Sequence, residues 1–195
     1  VTQVKPDISI GIISPSSLPD DLTVKLQESL AAYAEDVNGD GKIVVQIEVY
    51  AITAGTEESE PAESQAESQP LTAQDPYTQM AGVTRLSGAF SAGEPVLFLV
   101  SPEEAEFYQQ QYGIFGEEKG EGSIEKLTTA WQDCPALAGL DLTFTQYDGT
   151  TANGQLLLEG YRLGLRGFTA EQLAKNNGWQ QNLDNAGSFY GRLFA

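Results

Sequence analysis

The chain has 195 residues, of which 41% are hydrophobic and 9% aromatic, and these proportions are typical of a folded globular protein. Its 28 acidic and 10 basic residues give a formal net charge of −18, which disfavours binding to nucleic acids and to anionic membrane surfaces. With no histidine and one cysteine, Cys134, the chain excludes an internal disulfide, a zinc site built on several cysteines and histidine-dependent catalysis.

The N-terminal part of the chain predicts a strand, a helix and a second strand. Pro6 to Ser14, PDISIGIIS, alternates isoleucine with smaller residues, as a strand does. A helix follows, with Ser17 as its predicted cap. Its apolar stripe consists of Leu18, Leu22, Leu26, Leu30 and Tyr33. After the turn NGDG, the segment from Lys42 to Ile52 alternates again and predicts the second strand.

The next stretch, Thr53 to Thr72, is a low-complexity tract with five glutamates and no basic residue. Such a composition gives a segment little to bury. We expect a mobile acidic surface loop within a single α/β domain that spans residues 1–195.

A third strand and two further helices are predicted in the middle of the chain. A helix begins at Pro76, with Met80, Val83, Leu86 and Phe90 as its expected buried stripe. The apolar run from Val96 to Val100 predicts a central parallel strand. A capping box of Ser101 and Glu104 then opens a helix from Pro102 to Tyr112.

The last third has weaker patterns. They predict a short helix from Ile124 to Gln132, strands at Leu142–Asp148 and Gln155–Phe168, and helices at Thr169–Asn176 and Leu183–Phe194. Taken together, the elements predict a three-layer α/β/α open sheet whose first three strands are parallel.

The segment DVNGDGKI has the spacing of a calcium-binding loop. Asp36, Asn38 and Asp40 stand at the positions of the first three oxygen ligands, and Lys42 stands where a backbone carbonyl binds calcium. The twelfth position is Ile47, where such loops need an acidic ligand. Glu48 or another distant carboxylate is the candidate to complete the shell.

These eight residues resemble the calcium loop of dockerin modules. A dockerin also has a second copy of the loop, a following helix and the twelfth acidic residue, and this chain has none of them. The loop is also similar to that of some periplasmic sugar-binding proteins, in which a distant carboxylate completes the site. The alternative is a metal-free turn closed by Asx-type hydrogen bonds, so the expected cofactor is either none or Ca²⁺.

The order of DISIGIIS, DVNGDGKIVVQIEVY, LSGAFSAGEP, VLFLV and SPEE, with YRLGLRGF near the end, resembles an uncharacterised family of cell-surface proteins of Gram-positive gut bacteria. That resemblance implies an extracellular location and a membrane tether through an N-terminal segment. Because the sequence begins with Val1 rather than Met, we expect that segment to be missing here. A weaker resemblance is to one lobe of extracellular solute-binding proteins.

In an open parallel sheet, ligands bind beyond the carboxyl ends of the strands, where helix N-termini converge. Hydroxyl groups follow each of the first three predicted strands, so they predict a rim for a small polar ligand. Its members are Ser14, Ser16, Ser17, Thr53 and Ser101. The alternative is that these residues only cap helices.

Two arginines are a second candidate for ligand binding. Strand periodicity places Arg162 and Arg166 on one face, where they can clamp a carboxylate, or pair with some of the many acidic side chains. Trp131 and Trp179 suit either stacking against a sugar or packing in the core.

The sequence therefore predicts a non-catalytic extracellular binding or interaction domain, whose partner is a small polar ligand or another cell-surface protein. The alternatives are a carboxylate-dependent hydrolase and a structural spacer in a cell-surface assembly. Nucleotide-binding glycine motifs are absent from the sequence, and its adjacent acidic residues fit solvated helix starts.

Overall fold

The structure is a computed structural model that describes residues 4–53, 76–116 and 122–195. The predicted mobile acidic loop lies outside the described residues, apart from Thr53. The chain has mixed α/β architecture. Its strands are β1 (Ile8–Ser14), β2 (Val45–Ala51), β3 (Leu97–Val100), β4 (Thr129–Ala130), β5 (Thr143–Thr145), β6 (Thr151–Asn153) and β7 (Arg162–Leu165). Its helices are α1 (Asp20–Leu30), α2 (Pro76–Ala92), α3 (Pro102–Tyr112), α4 (Ile124–Leu127), α5 (Pro135–Ala138), α6 (Gly154–Leu157), α7 (Ala170–Lys175) and α8 (Trp179–Arg192).

Five of the strands form one mixed sheet in the order β2-β1-β3-β7-β4. β1 pairs in parallel with β2 and with β3, which confirms the prediction that the first three strands are parallel. β7 runs antiparallel to both β3 and β4. The remaining strands, β5 and β6, form a separate antiparallel hairpin.

Side chains alternate along β1 and enter two apolar clusters. Ile8, Ile10 and Ile12 belong to the larger cluster, which includes the predicted α1 leucines Leu22, Leu26 and Leu30. Residues of β7 and α8 complete that cluster. Ile13 belongs to the smaller cluster, which it shares with residues of α2 and α3. Each cluster thus packs a different pair of long helices against the sheet.

The apolar stripe predicted for α2 is partly wrong. Met80 is 66% exposed, whereas Leu86 is buried and Gly82 faces β2. At Gly82 the helix backbone lies close to β2, because a Cβ atom built there would lie 2.8 Å from the carbonyl oxygen of Ala51. A glycine, which is not part of the predicted apolar stripe, therefore forms part of the buried face of α2.

Two predicted helix caps need correction. Pro19, not Ser17, occupies the N-cap of α1, and no side chain caps that helix. At the start of α3, Ser101 occupies the N-cap as predicted, but its hydroxyl donates to Glu104 Oε2 over 2.6 Å instead of accepting from the backbone, so the capping box does not form. The backbone N–H of Glu104 bonds instead to the carbonyl oxygen of Ser101 at 3.1 Å.

The predicted elements of the last third need two corrections. The helix expected from Ile124 ends at Leu127, because the chain extends there to pair β4 with β7. The single strand expected at Gln155–Phe168 is instead helix α6 and strand β7. Asn153 starts α6 by accepting a hydrogen bond from the N–H of Gln155, and Gly160, at φ 80°, turns the chain before β7. A full capping box of Thr169 and Gln172 opens α7.

We find no helix among the described residues that has the length and apolar character needed to cross a membrane.

Candidate functional site

The carboxyl ends of β1 and β3 carry a closed polar cluster. Ser14 and Ser101 are each only 1% exposed, so their hydroxyls do not form an open rim. Ser14 Oγ shares a 2.9 Å hydrogen bond with the Tyr161 hydroxyl, and Ser101 bonds to the buried Glu104. Burial raises the pKa of Tyr161, which keeps its hydroxyl protonated. In this structure the cluster ties β1, β3 and the start of β7 together.

The other predicted rim residues lie at the surface. Ser16 and Ser17 are exposed in the segment between β1 and α1, and the N–H of Ser16 lies 3.5 Å from Ser14 Oγ. Thr53 is exposed as well, and its backbone N–H and C=O both bond to the side-chain amide of Gln79. The structure therefore does not bring the five predicted hydroxyl groups together around one cavity.

The predicted calcium loop is a dense set of side chain-to-backbone hydrogen bonds. Asp36 accepts from the N–H groups of Gly39, Asp40 and Gly41 at 2.7, 3.2 and 2.8 Å. Asn38 Oδ1 accepts from Asp40 N, and Asp40 Oδ1 accepts from Lys42 N, both at 2.9 Å. The loop thereby supplies acceptors for several of its own backbone N–H groups.

Glu48, the candidate distant ligand, points elsewhere. Its Oε2 accepts from the Tyr50 hydroxyl at 2.9 Å and lies 3.8 Å from Arg85 Nη2. Burial first, and then the Glu48 charge, raises the pKa of Tyr50. Within residues 4–53, 76–116 and 122–195, no group of three or more acidic, histidine or cysteine side chains is arranged to hold a metal ion. The oxygen atoms with which the Asp36 loop itself could bind a metal ion thus belong to two carboxylates, one amide and backbone carbonyls.

Asp7 is an anchor that the sequence patterns do not reveal. It is 6% exposed, and it accepts hydrogen bonds from Val37 N at 3.0 Å, Asn38 N at 3.4 Å and Val44 N at 2.8 Å. These bonds fix both ends of the Asp36 loop to the start of β1. Its only sequence signal is an acidic residue directly before a buried strand.

The two candidate arginines lie at opposite ends of β7. Arg162 pairs with Val100 at the carboxyl end of β3, while the N–H of Arg166 bonds to the carbonyl of Val96 ahead of β3. Arg162 donates to Thr128 Oγ1 at 2.7 Å and to the Thr128 carbonyl at 3.2 Å. The two guanidinium groups therefore do not converge on one ligand.

Arg166 lies in a cluster of aromatic rings. Its guanidinium carbon is 4.8 Å from the ring centre of Phe90, 4.7 Å from that of Phe168 and 5.8 Å from that of Trp179. Nη2 donates to the Phe90 carbonyl at 3.0 Å, but Nη1 is buried and has no hydrogen-bond partner within the described residues. Burial lowers the pKa of Arg166 to about 10, so the group remains a cation at neutral pH.

Beside this cation is a cavity of about 290 Å³, near the lower end of small-molecule sites, roughly 300–1,000 Å³. We call it the Arg166 cavity. Its lining consists of Phe90, Tyr112, Gly113, Ile114, Gly116, Arg166, Gly167 and Gln172. Tyr112 and Gln172 are exposed, so the cavity is open to solvent. The sequence gives Arg166 as a candidate, but two of the rings around it, Phe90 and Trp179, come from other segments of the chain.

A larger groove, of about 690 Å³, runs along the edge strand β2 between α1 and α2. Two of its charged groups are already engaged, since Arg85 contacts Glu48 and donates to the Val49 carbonyl at 3.3 Å. The outward N–H of Ile47 is bonded to Gln27 Oε1 at 3.1 Å. These contacts shield the sheet edge from pairing with another strand.

Comparison with protein-family models, with curated proteins and with solved structures gives no significant match.

Proposed function

We propose that this chain is a non-catalytic extracellular binding domain that holds a small anionic ligand in the Arg166 cavity. The observation that carries this proposal is a buried guanidinium nitrogen, Nη1, without a hydrogen-bond partner in the described structure. An unmet buried donor costs about 1–3 kcal/mol, more when the group is charged, and an anion that enters the adjacent cavity and displaces the cover of Nη1 would remove that cost.

The surroundings of the cation support the same proposal. Phe90, Phe168 and Trp179 give the guanidinium favourable ring contacts, but rings do not accept a hydrogen bond in the plane of the group. The described acidic side chains that pair with basic ones are Glu48, Glu171 and Glu35, and none of them pairs with Arg166. Arg166 is thus a cation with no described anionic partner, and it lies beside the Arg166 cavity.

We also propose the finer features of the fold and location. Division of the long helices between two clusters supports a three-layer α/β/α open sheet similar to one lobe of extracellular solute-binding proteins. We further propose that the protein is attached to the cell surface through an additional N-terminal segment. This proposal rests on the sequence resemblance described above.

The test is thermal unfolding of the wild-type chain with a panel of small anions and neutral compounds of equal size. We expect anions to raise Tm, because a ligand that binds only the folded state stabilises it. An Arg166→Met variant should keep the fold and lose this response. NMR spectra of the added compounds should show them unchanged after incubation, as a non-catalytic domain requires.

Two control variants make the result specific. Arg162→Met removes the other cation of β7, which already bonds to Thr128, and should leave the anion response intact. Glu117 and Glu118 follow Gly116 in the sequence, outside the described residues. If Glu117→Gln with Glu118→Gln lowers Tm and Arg166→Met removes that effect, the acceptor for Nη1 belongs to the chain itself and the proposal fails.

A further inference from the structure

The chemistry of the Arg166 cavity narrows the class of ligand, an inference that rests on the proposed binding function. One nitrogen of the guanidinium, Nη2, is already used by the Phe90 carbonyl, while Nη1 lacks an acceptor in the described part of the chain. The site therefore needs an acceptor at one nitrogen, and a carboxylate oxygen in the guanidinium plane supplies it.

Charge balance favours a ligand with a single negative charge. Arg166 offers one positive charge in surroundings of low polarity, so a monoanion neutralises it. A phosphate dianion or a dicarboxylate would bring a second negative charge, for which the described lining residues hold no second cation. The net charge of −18 adds long-range repulsion against multivalent anions.

The side chains that line the Arg166 cavity favour a ligand whose remaining part is apolar. Phe90 and Ile114 give apolar surface, and the Tyr112 ring, 42% exposed, lies at the opening. Glycines at 113, 116 and 167 leave room beside these side chains. A Cβ built at Gly167 would lie 2.5 Å from the backbone of Gly116, so a larger residue there would force the two backbone segments of this wall apart.

We propose that the Arg166 cavity binds a small monocarboxylate with an apolar or aromatic body, held by a hydrogen bond from Arg166 Nη1 and by contact with Phe90 and Tyr112. The carboxylate lies beside the guanidinium, and the body of the ligand packs against the cavity side of the two rings, whose centres are 6.3 Å apart. Such a small ligand binds with modest affinity, because few atoms contribute to it.

The experiment is titration of the wild-type chain with four probes: phenylacetate, its neutral amide phenylacetamide, acetate, and inorganic phosphate. Calorimetry gives the affinities, and ¹⁵N NMR of the arginine side chains reports contact with Arg166 directly. We expect phenylacetate to bind at least about 10-fold more tightly than each of the other probes, since a lost charged hydrogen bond costs about 1.5–3 kcal/mol. Phenylacetate should shift the Arg166 side-chain signal and leave the Arg162 signal in place.

Variants of the protein distinguish the contribution of the carboxylate from that of the apolar part of the ligand. Arg166→Gln should abolish the preference for phenylacetate over phenylacetamide, while Tyr112→Ala should weaken phenylacetate and leave acetate unchanged. Equal binding of phenylacetate and its amide would overturn the proposed class, as would tighter binding of phosphate at Arg166; either result leaves the binding function standing. If no probe shifts the Arg166 signal and no anion of the thermal panel raises Tm, both proposals fail.

Discussion

At the scale of single residues, Asp7 has a structural role that local sequence does not indicate. Its buried carboxylate joins the start of β1 to the N–H groups of Val37, Asn38 and Val44. Strand periodicity predicts the buried isoleucines of β1, because that pattern is local. A bond between residues that are far apart in the sequence leaves no such pattern, so Asp7 could not be predicted.

We therefore expect Asp7→Ala to be strongly destabilising. Removing the carboxylate leaves the three backbone donors without their acceptor, at a cost of about 2–4 kcal/mol in the free energy of unfolding. For a chain of this size the loss corresponds to a fall in Tm of about 5–15 °C, which differential scanning calorimetry measures. Asp7→Asn keeps one acceptor oxygen and should lose less. Equal Tm values for Asp7→Ala and wild type would contradict this role.

The two arginines show where strand periodicity stops being informative. A spacing of four residues places Arg162 and Arg166 on one face of a strand, but it also separates their Cα atoms by about 13 Å. Register with β3 puts Arg162 at Val100 and Arg166 near Val96. The candidate residue could be predicted from sequence; its surroundings could not, because Phe90 and Trp179 reach it only through the tertiary fold.

At the scale of elements, the best-predicted parts are those with strong periodicity or a long apolar run. β1, α1, β2 and β3 have such patterns, and the structure contains all four. α6 and β4 are too short to show a period, and pairing with β7 determines where the chain extends at β4. The predicted capping box at Ser101 failed because its hydroxyl donates to Glu104.

The Asp36 loop gives a prediction at this scale. We expect Asp36→Ala to lower Tm even in the presence of a chelator, because the N–H groups of Gly39, Asp40 and Gly41 lose their acceptor. The loss should be smaller than for Asp7→Ala, since the loop is exposed and water can replace the carboxylate. Thermal unfolding of both variants in EDTA makes the comparison.

A double variant of the same loop tests calcium binding. A rise in the wild-type Tm at millimolar calcium that Asp36→Asn with Asp40→Asn lacks would establish a metal site in the loop. Equal Tm values in calcium and in EDTA would identify a turn closed by hydrogen bonds alone. Magnesium at the same concentration is the control for general ionic effects.

At the scale of the whole molecule, charge repulsion opposes folding. The chain carries 28 acidic and 10 basic residues, and the described ion pairs involve only Glu35, Glu48 and Glu171. Compact packing brings the negative charges closer together than they are in the unfolded chain. The charge thus limits stability.

Added salt should therefore stabilise the protein. Raising NaCl from about 0.01 M to about 0.15 M shortens the screening length from about 30 Å to about 8 Å, which weakens the repulsion between surface carboxylates. We expect Tm to rise by a few degrees in calorimetry at constant pH. KCl should have the same effect if screening is the cause. A fall in Tm on adding either salt would show that the described ion pairs outweigh the repulsion.

The aromatic surroundings of Arg166 have a consequence for communication across the sheet. Phe90 packs against the cluster that contains α3, whereas Phe168 and Trp179 belong to the cluster that contains α1. Gly93 lets the indole of Trp179 lie directly on the end of α2, because any Cβ there would fall 2.2 Å from the ring. One cation thus contacts side chains of both hydrophobic clusters, and a ligand bound beside it would restrict the motion of both.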